Sequence, residues 1–408
     1  MLAALGRGGT SEIDGLLAGE DVKSTARVLR QLGVRIAPVR PGAVVTVRGA
    51  RFTAPRARLH CGNAGTTARL LLGVLAGQRF AATLTGDASL RRRPMRRVTE
   101  PLRAMGAEIH EHPGGVLPIT IHGGRLHSLT YTTPVASAQI KSALLLAAVT
   151  GNVGLTLREP YRSRDHTERL LVHLGCGVHE RDGAIVYEPA SGAGVPAFRL
   201  SVPGDVSSAA FLVAAAVLAE AGELVIENVG VNPTRTGCLV VLERMGARVG
   251  RVNLRDAGGE PVADLVARPA ALRGTEVTAA EVPTLVDEVP ILAVVASRAE
   301  GETTFREVGE LRVKESNRLE LVAANLRALG VEAAAQGNDL IVRGTGKPPR
   351  GRVETARDHR LAMAFAVLGT LPGADVRLSE RRSVAISYPG FFQDLKRIRD
   401  QGPRRSST

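Results

Sequence analysis

Several short stretches of this 408-residue chain combine small residues with charge in a way suited to holding anions. They are Gly62-Asn63-Ala64-Gly65-Thr66-Thr67, Ser137-Ala138-Gln139, Gly204-Asp205-Val206-Ser207-Ser208, Asp287-Glu288 and Asp358-His359-Arg360. Each opens a run of apolar residues of helical length. A helix start offers unpaired N–H groups and a partial positive charge, and glycine lets a phosphate approach the backbone closely. Any one of these stretches, taken alone, reads as an ordinary helix cap. Their recurrence favours a shared anion-binding role. Two charge clusters accompany them, Arg91 to Arg97 and Lys314-Glu315 followed by Arg318. By themselves these read as a solvated basic run and a surface ion cluster.

The elements that must position these groups form a repeat. Leu32-Gly33-Val34-Arg35-Ile36, Met105-Gly106-Ala107-Glu108-Ile109, Leu174-Gly175-Cys176-Gly177-Val178, Met245-Gly246-Ala247-Arg248-Val249 and Leu329-Gly330-Val331-Glu332 share one pattern, 69 to 84 residues apart. In each, a helix is predicted to end at glycine and a strand to begin. The preceding stretches, such as Asp21 to Leu32 and Asn317 to Leu329, carry apolar residues at helical spacing. Between them lies a second helix type, Ala64 to Leu75, Ala138 to Ala148, Ser208 to Leu218, Val286 to Ser297 and Arg360 to Leu368, apolar almost all round. A helix without a polar face must be buried, so each unit is predicted to pack an inner and an outer helix beneath a sheet.

Residues 1–9 resemble the end of one more inner helix. Sliding the N-terminus against the chain at an offset of 213 aligns Gly9 with Gly222, Ile13 with Ile226, Leu29 with Leu242, Gly33 with Gly246 and Arg35 with Arg248. The two halves read as copies. Met1 then falls opposite Ala214, so the counterpart of Val202 to Ser208 is expected to lie before Met1.

Composition bounds the partners. The length suits about two domains, predicted as 1–202 and 203–401 with a flexible tail at 402–408. Aromatic residues are 3% and tryptophan is absent, which argues against single-stranded nucleic acid, where bases stack on aromatic rings. Lys and Arg exceed Asp and Glu by 53 to 40, which fits small phosphorylated metabolites. Cys61, Cys176 and Cys238 have neither disulfide nor zinc spacing, and His110 with His112 lacks further partners, so no metal and no organic cofactor are expected. A cytoplasmic monomer with no membrane or nucleic-acid partner is expected.

Together with the helix starts, Gly19-Glu20-Asp21-Val22, Ser89-Leu90-Arg91-Arg92-Arg93-Pro94-Met95, Ser137-Ala138-Gln139-Ile140-Lys141-Ser142, Ser163-Arg164-Asp165-His166-Thr167-Glu168 and Arg312-Val313-Lys314-Glu315-Ser316-Asn317-Arg318 closely resemble the EPSP synthase family of enolpyruvyl transferases. The resemblance covers nearly the whole chain and keeps the family's order. It implies an α/β fold, a two-lobed inside-out barrel of six βαβαββ repeats, three per lobe, here with the first repeat truncated. It also implies lobes that close on their substrates, with a hinge near Pro203-Gly204.

The resemblance further implies transfer of the enolpyruvyl group from phosphoenolpyruvate to the 5-hydroxyl of shikimate 3-phosphate. Gly65 N–H and Arg93 would hold the phosphate of phosphoenolpyruvate, Arg318 and Arg360 its carboxylate, with Gln139 beside it. Arginine's planar fork suits both anionic groups. Shikimate 3-phosphate would lie on Ser137, the Ala138 N–H, Gln139 and Arg164, and would also meet Asp287 and Lys314. Proton transfer is needed at the attacking hydroxyl and at the methylene carbon. Asp287, with Lys314 close to it, would serve the first and Glu315 the second, and His359 would hydrogen-bond at the site.

The chain departs from the family's pattern at its start, where a Pro-Gly-Asp-Lys-Ser-x-Ser-x-Arg run is expected upstream of Met1. Leu70 and Ile386 are smaller departures that leave inhibitor sensitivity open. The sister transferase acting on UDP-N-acetylglucosamine is a poorer fit, because the loop Arg91 to Met95 has no counterpart of its reactive cysteine. A noncatalytic anion-binding protein is the reading of another class.

Overall fold

Gly33, Gly106, Gly175, Gly246 and Gly330 all have φ between +69° and +105°, a left-handed conformation that an L side chain resists. Each follows an outer helix: Glu20–Gln31, Arg96–Ala104, His166–His173, Gly237–Arg244 and Arg318–Ala328. The glycine N–H bonds back to the carbonyl three residues earlier and the next N–H to the one five earlier, as in Gly33 to Arg30 O at 3.0 Å and Val34 to Leu29 O at 3.1 Å. That double bond satisfies the orphaned carbonyls of the last turn and releases the chain into a strand. The strands that follow begin at Arg35, Glu108, Val178, Arg248 and Glu332, as the repeat predicts.

The computed structural model describes residues 1–6, 8–189 and 194–400, and the tail expected at 402–408 lies outside them. The inner helices are Gly65–Ala76, Ala138–Gly151, Val206–Val217, Val289–Ala296 and His359–Leu368, with Leu2–Leu5 at the start. Every residue of Val289–Ala296 is buried, the environment an all-apolar helix requires. One boundary differs from expectation: Val286–Glu288 is a separate 3-10 turn. Pro290 has no N–H to donate to the Val286 carbonyl, so an α-helix cannot run through from Val286. Among the described residues no helix is long and apolar enough to cross a membrane.

The chain divides into two compact units, one of residues 1–202 with Ala257–Glu260, the other of Pro203–Asp256 and residues from Pro261 onward. Each has its own aliphatic core. In the first unit three four-stranded sheets share one order: a strand paired parallel to the second, which pairs antiparallel to the fourth, which pairs antiparallel to the third. Leu59–His60, Ala81–Thr85, Val116–His122 and Glu108–His112 form one of them. Leu129–Thr132, Leu155–Arg158, Ala184–Tyr187 and Val178–Arg181 form another. In the remaining sheet the parallel position beside Thr10–Asp14 is filled by Arg199–Ser201, Glu12 facing Arg199 in register.

In the second unit Glu276–Val277, Glu302–Phe305, Asp339–Arg343 and Glu332–Gln336 repeat that order. Leu224–Gly230, Glu260–Arg268 and Arg248–Ala257 make a three-stranded sheet, and Arg350–Val353 pairs parallel with Asp375–Leu378. The helix starts carrying the candidate residues thus belong to a repeated unit of one construction.

Candidate functional site

In the first unit the helix Gly65–Ala76 begins without a side-chain cap, so its first N–H groups remain available to an anion. Arg93 follows the 3-10 turn Leu90–Arg92. That turn is fixed by Asp87, whose carboxylate accepts from Leu90 N at 2.8 Å and Asn63 Nδ2 at 2.8 Å. Asn63 in turn accepts from Arg93 Nη2 at 2.9 Å. A methyl group built on Gly65 would stand 2.9 Å from Arg69 Nη1 and 3.3 Å from Arg93 Nη1. Gly65 therefore lies directly beneath two guanidinium groups, a geometry suited to phosphate.

Arg69 is 5% exposed. It donates to Gln139 Oε1 at 2.9 Å and to Pro94 O at 2.9 Å. Gln139 donates from Nε2 to Thr66 Oγ1 at 3.0 Å, so its amide serves the neighbouring inner helix and caps nothing. The Ser137 hydroxyl makes no capping bond either, which corrects the reading of both residues as caps. Arg91, Arg92 and Arg96 are exposed whereas Arg93 is half-buried, so the basic run is solvated around one inward member. Gly65, Arg93 and Gln139 are brought together through Arg69. Ser137 and Ala138 open the next inner helix, and half-buried Arg164 lies on the loop before His166–His173.

In the second unit six expected residues converge. Asp287 Oδ1 lies 3.5 Å from Lys314 Nζ and 3.5 Å from Arg318 Nη1, and its Oδ2 is 3.9 Å from Arg360 Nη2. Arg318, 1% exposed, also binds Glu315 and takes Asp358 at Nε, 2.8 Å away. Arg360 Nη1 meets Glu288 Oε1 at 3.2 Å and the Asp287 carbonyl at 3.1 Å. A cluster buried this deeply is no surface ion network.

The electrostatics follow from burial and pairing. Burial alone would pull both guanidiniums down. Asp358 and Glu315 outweigh it at Arg318, and Asp287 with Glu288 outweighs it at Arg360, so both stay firmly charged. Burial likewise works against ionisation of Asp358, but Arg318 prevails and holds that carboxyl below its usual range. Burial, helped by Arg360, pushes His359 down to about 4, so the imidazole is neutral near pH 7, and its Nδ1 is buried without a hydrogen-bond partner. Such a site can place a carboxylate base beside cations that bind anions.

Sequence reasoning had passed over Arg69, Glu288 and Asp358 as functional groups. Arg69 could have been found, since it is the one charged residue on an otherwise apolar inner helix. Glu288 and Asp358 act through partners far away in the chain, which local spacing does not disclose.

The model of the family described as EPSP synthase (3-phosphoshikimate 1-carboxyvinyltransferase) matches residues 1–395. The 3-phosphoshikimate 1-carboxyvinyltransferase of Thermus thermophilus is 50% identical over 400 residues, covering 98% of this chain and 92% of its own. That of Geobacillus kaustophilus is 45% identical over 409 residues, covering 98% and 93%. Among solved structures, EPSP synthase from Acinetobacter baumannii superposes with a TM-score of 0.86 at 38% identity, over 97% of this chain and 91% of that one. The enolpyruvyl transferase NikO from Streptomyces tendae, at 20% identity and a TM-score of 0.75 over 97% and 90%, shares the fold.

Proposed function

Because the chain belongs to the EPSP synthase family, we infer that it transfers the enolpyruvyl group of phosphoenolpyruvate to the 5-hydroxyl of shikimate 3-phosphate and releases phosphate. The hydroxyl oxygen adds to C2 of phosphoenolpyruvate while C3 gains a proton. The C2–O bond to phosphate then breaks and C3 returns a proton, restoring the double bond. Asp287 takes the hydroxyl proton, and Lys314 beside it stabilises the charge that develops. Glu315 gives and retakes the methylene proton. His359, neutral near pH 7, serves as a hydrogen-bonding group.

Gly65 N–H and Arg93, with Arg69 behind them, take the phosphate of phosphoenolpyruvate. Gln139 binds beside it, and Arg318 and Arg360 take its carboxylate. Ser137, the Ala138 N–H, Gln139 and Arg164 hold shikimate 3-phosphate. The observation that carries this reading is the convergence of Lys314, Arg318 and Arg360 on Asp287 within 3.9 Å. We also place the protein in a reducing compartment as a monomer. Its three free cysteines, Cys61 and Cys238 fully buried, support the compartment.

The test is phosphate release from phosphoenolpyruvate dependent on shikimate 3-phosphate, with the enol ether product identified by NMR. Protein that binds both substrates and releases no phosphate would favour the noncatalytic reading.

A further inference from the structure

Lys141 is the one charged residue of the inner helix Ala138–Gly151 and is fully buried. A buried ammonium must find partners for its donors. Its Nζ meets Glu159 Oε2 at 2.8 Å, Glu168 Oε1 at 2.8 Å and the Ser163 carbonyl at 3.3 Å. Glu159 is nearly as enclosed, its side chain 5% exposed. Besides Lys141 it accepts from Ser137 N at 3.3 Å, Ser163 N at 3.3 Å and Ser163 Oγ at 2.6 Å. One carboxylate therefore joins the start of an inner helix to the loop that follows the strand Leu155–Arg158.

All three polar groups of Ser163 are consumed: N–H and hydroxyl by Glu159, carbonyl by Lys141. Ser137 is pinned as fully, its N–H on Glu159 and its carbonyl accepting from Lys141 N at 3.1 Å. The Ser137 hydroxyl makes no helix cap, so this clamp fixes the backbone without consuming that group. Arg164 is the next residue after Ser163, and its backbone root is held by the same three bonds. Glu168 closes the far side of the ammonium. Burial raises its carboxyl against the opposing pull of Lys141, and its Oε2 is buried without a partner.

We propose that Glu159, clamped by Lys141, is a positioning residue for shikimate 3-phosphate, holding Ser137 and Arg164 at the spacing that the phosphorylated ring requires. The proposal rests on the assignment of Ser137 and Arg164 to that substrate. A preorganised pair of ligands saves the ordering cost of binding, so loosening the clamp weakens one substrate and spares the other, whose ligands Gly65, Arg69 and Arg93 lie on other elements.

The experiment compares wild type with Glu159→Gln, which keeps the shape and removes the charge opposite Lys141. Three readouts are taken: calorimetric binding of shikimate 3-phosphate alone, KM for each substrate, and amide hydrogen exchange of residues 137–141 and 159–164 in the free protein. Expected are a rise of about tenfold in Kd and KM for shikimate 3-phosphate, KM for phosphoenolpyruvate within about twofold, and faster exchange in both segments. Unchanged exchange overturns the proposal, and so does an equal rise in both KM values. If Glu159→Gln does not fold, Ser163→Ala removes one bond of the clamp and is read the same way, with about a threefold rise expected. Wild-type protein that fails to bind shikimate 3-phosphate defeats the assigned function instead, and hydrogen exchange then decides the clamp by itself.

Discussion

The guanidinium of Arg69 lies against the side-chain amide of Gln139, Nη1 donating to Oε1 at 2.9 Å across 70 residues of sequence. This contact ties the candidate phosphate site to the start of the next inner helix. Lysine at position 69 would keep the charge but could not span Gln139 and the Pro94 carbonyl with a planar fork. Arg69→Lys is expected to raise KM for phosphoenolpyruvate about tenfold, the loss of one charge-assisted hydrogen bond of about 1.5 kcal/mol. Steady-state kinetics check this, and an unchanged KM refutes the role given to Arg69.

Gly65 separates stability from binding. Its backbone is helical, so alanine there should gain about 0.5–1 kcal/mol in helix propensity. Yet the added methyl would stand 2.9 Å from Arg69 Nη1 and 3.3 Å from Arg93 Nη1, in the space assigned to phosphate. Gly65→Ala should therefore hold or raise the melting temperature while raising KM for phosphoenolpyruvate about tenfold or more. Thermal melts and kinetics on the same preparation test both halves. A melting temperature that falls along with the affinity would point to displaced arginines and a damaged fold.

How far the sequence reaches can be judged from these residues. The glycines ending the outer helices were legible because a left-handed helix stop has a local signature, and the inner helices because total burial demands an apolar surface all round. The placement of Arg199–Ser201 beside Thr10–Asp14 was not legible, since no local period encodes a pairing between strands so far apart in the chain. Asp287 was found as a residue but misplaced in a helix, because the effect of Pro290 on the preceding turn was overlooked. The Arg69 and Glu159 contacts escaped for a common reason: a buried charge discloses its purpose only when its partners are known.

His359 gives a pH signature. Its imidazole is neutral when folded, with a pKa pushed down to about 4 by burial and by Arg360, whereas the unfolded chain titrates at about 6.5. The unfolded state therefore binds the proton first as pH falls, and this share of stability, full above about 6.5, is lost progressively toward 4. The loss should be about 2 kcal/mol at pH 5. Urea unfolding at pH 7.5 and pH 5 should show a drop in wild type larger by about that amount than in His359→Gln. Equal drops in the two proteins would mean that the imidazole is charged in the folded state.

Asp287 sits among three cations, 3.5 Å from Lys314, 3.5 Å from Arg318 and 3.9 Å from Arg360. Asparagine preserves its shape while deleting both the base and the negative charge. As the group assigned to remove the hydroxyl proton, it should cost about 10²–10⁴ in kcat when replaced. The same change leaves the cations less compensated, so anionic substrates should bind no more weakly than before and KM should not rise. The free variant should melt lower than wild type, because the cations now repel one another, and added phosphate should restore more of its stability than it adds to wild type. Loss of kcat with a KM unchanged or lowered, and this selective rescue by phosphate, would together place Asp287 at the reacting hydroxyl. A variant with normal kcat would remove it from the mechanism, leaving Glu315 as the one carboxylate with an assigned proton.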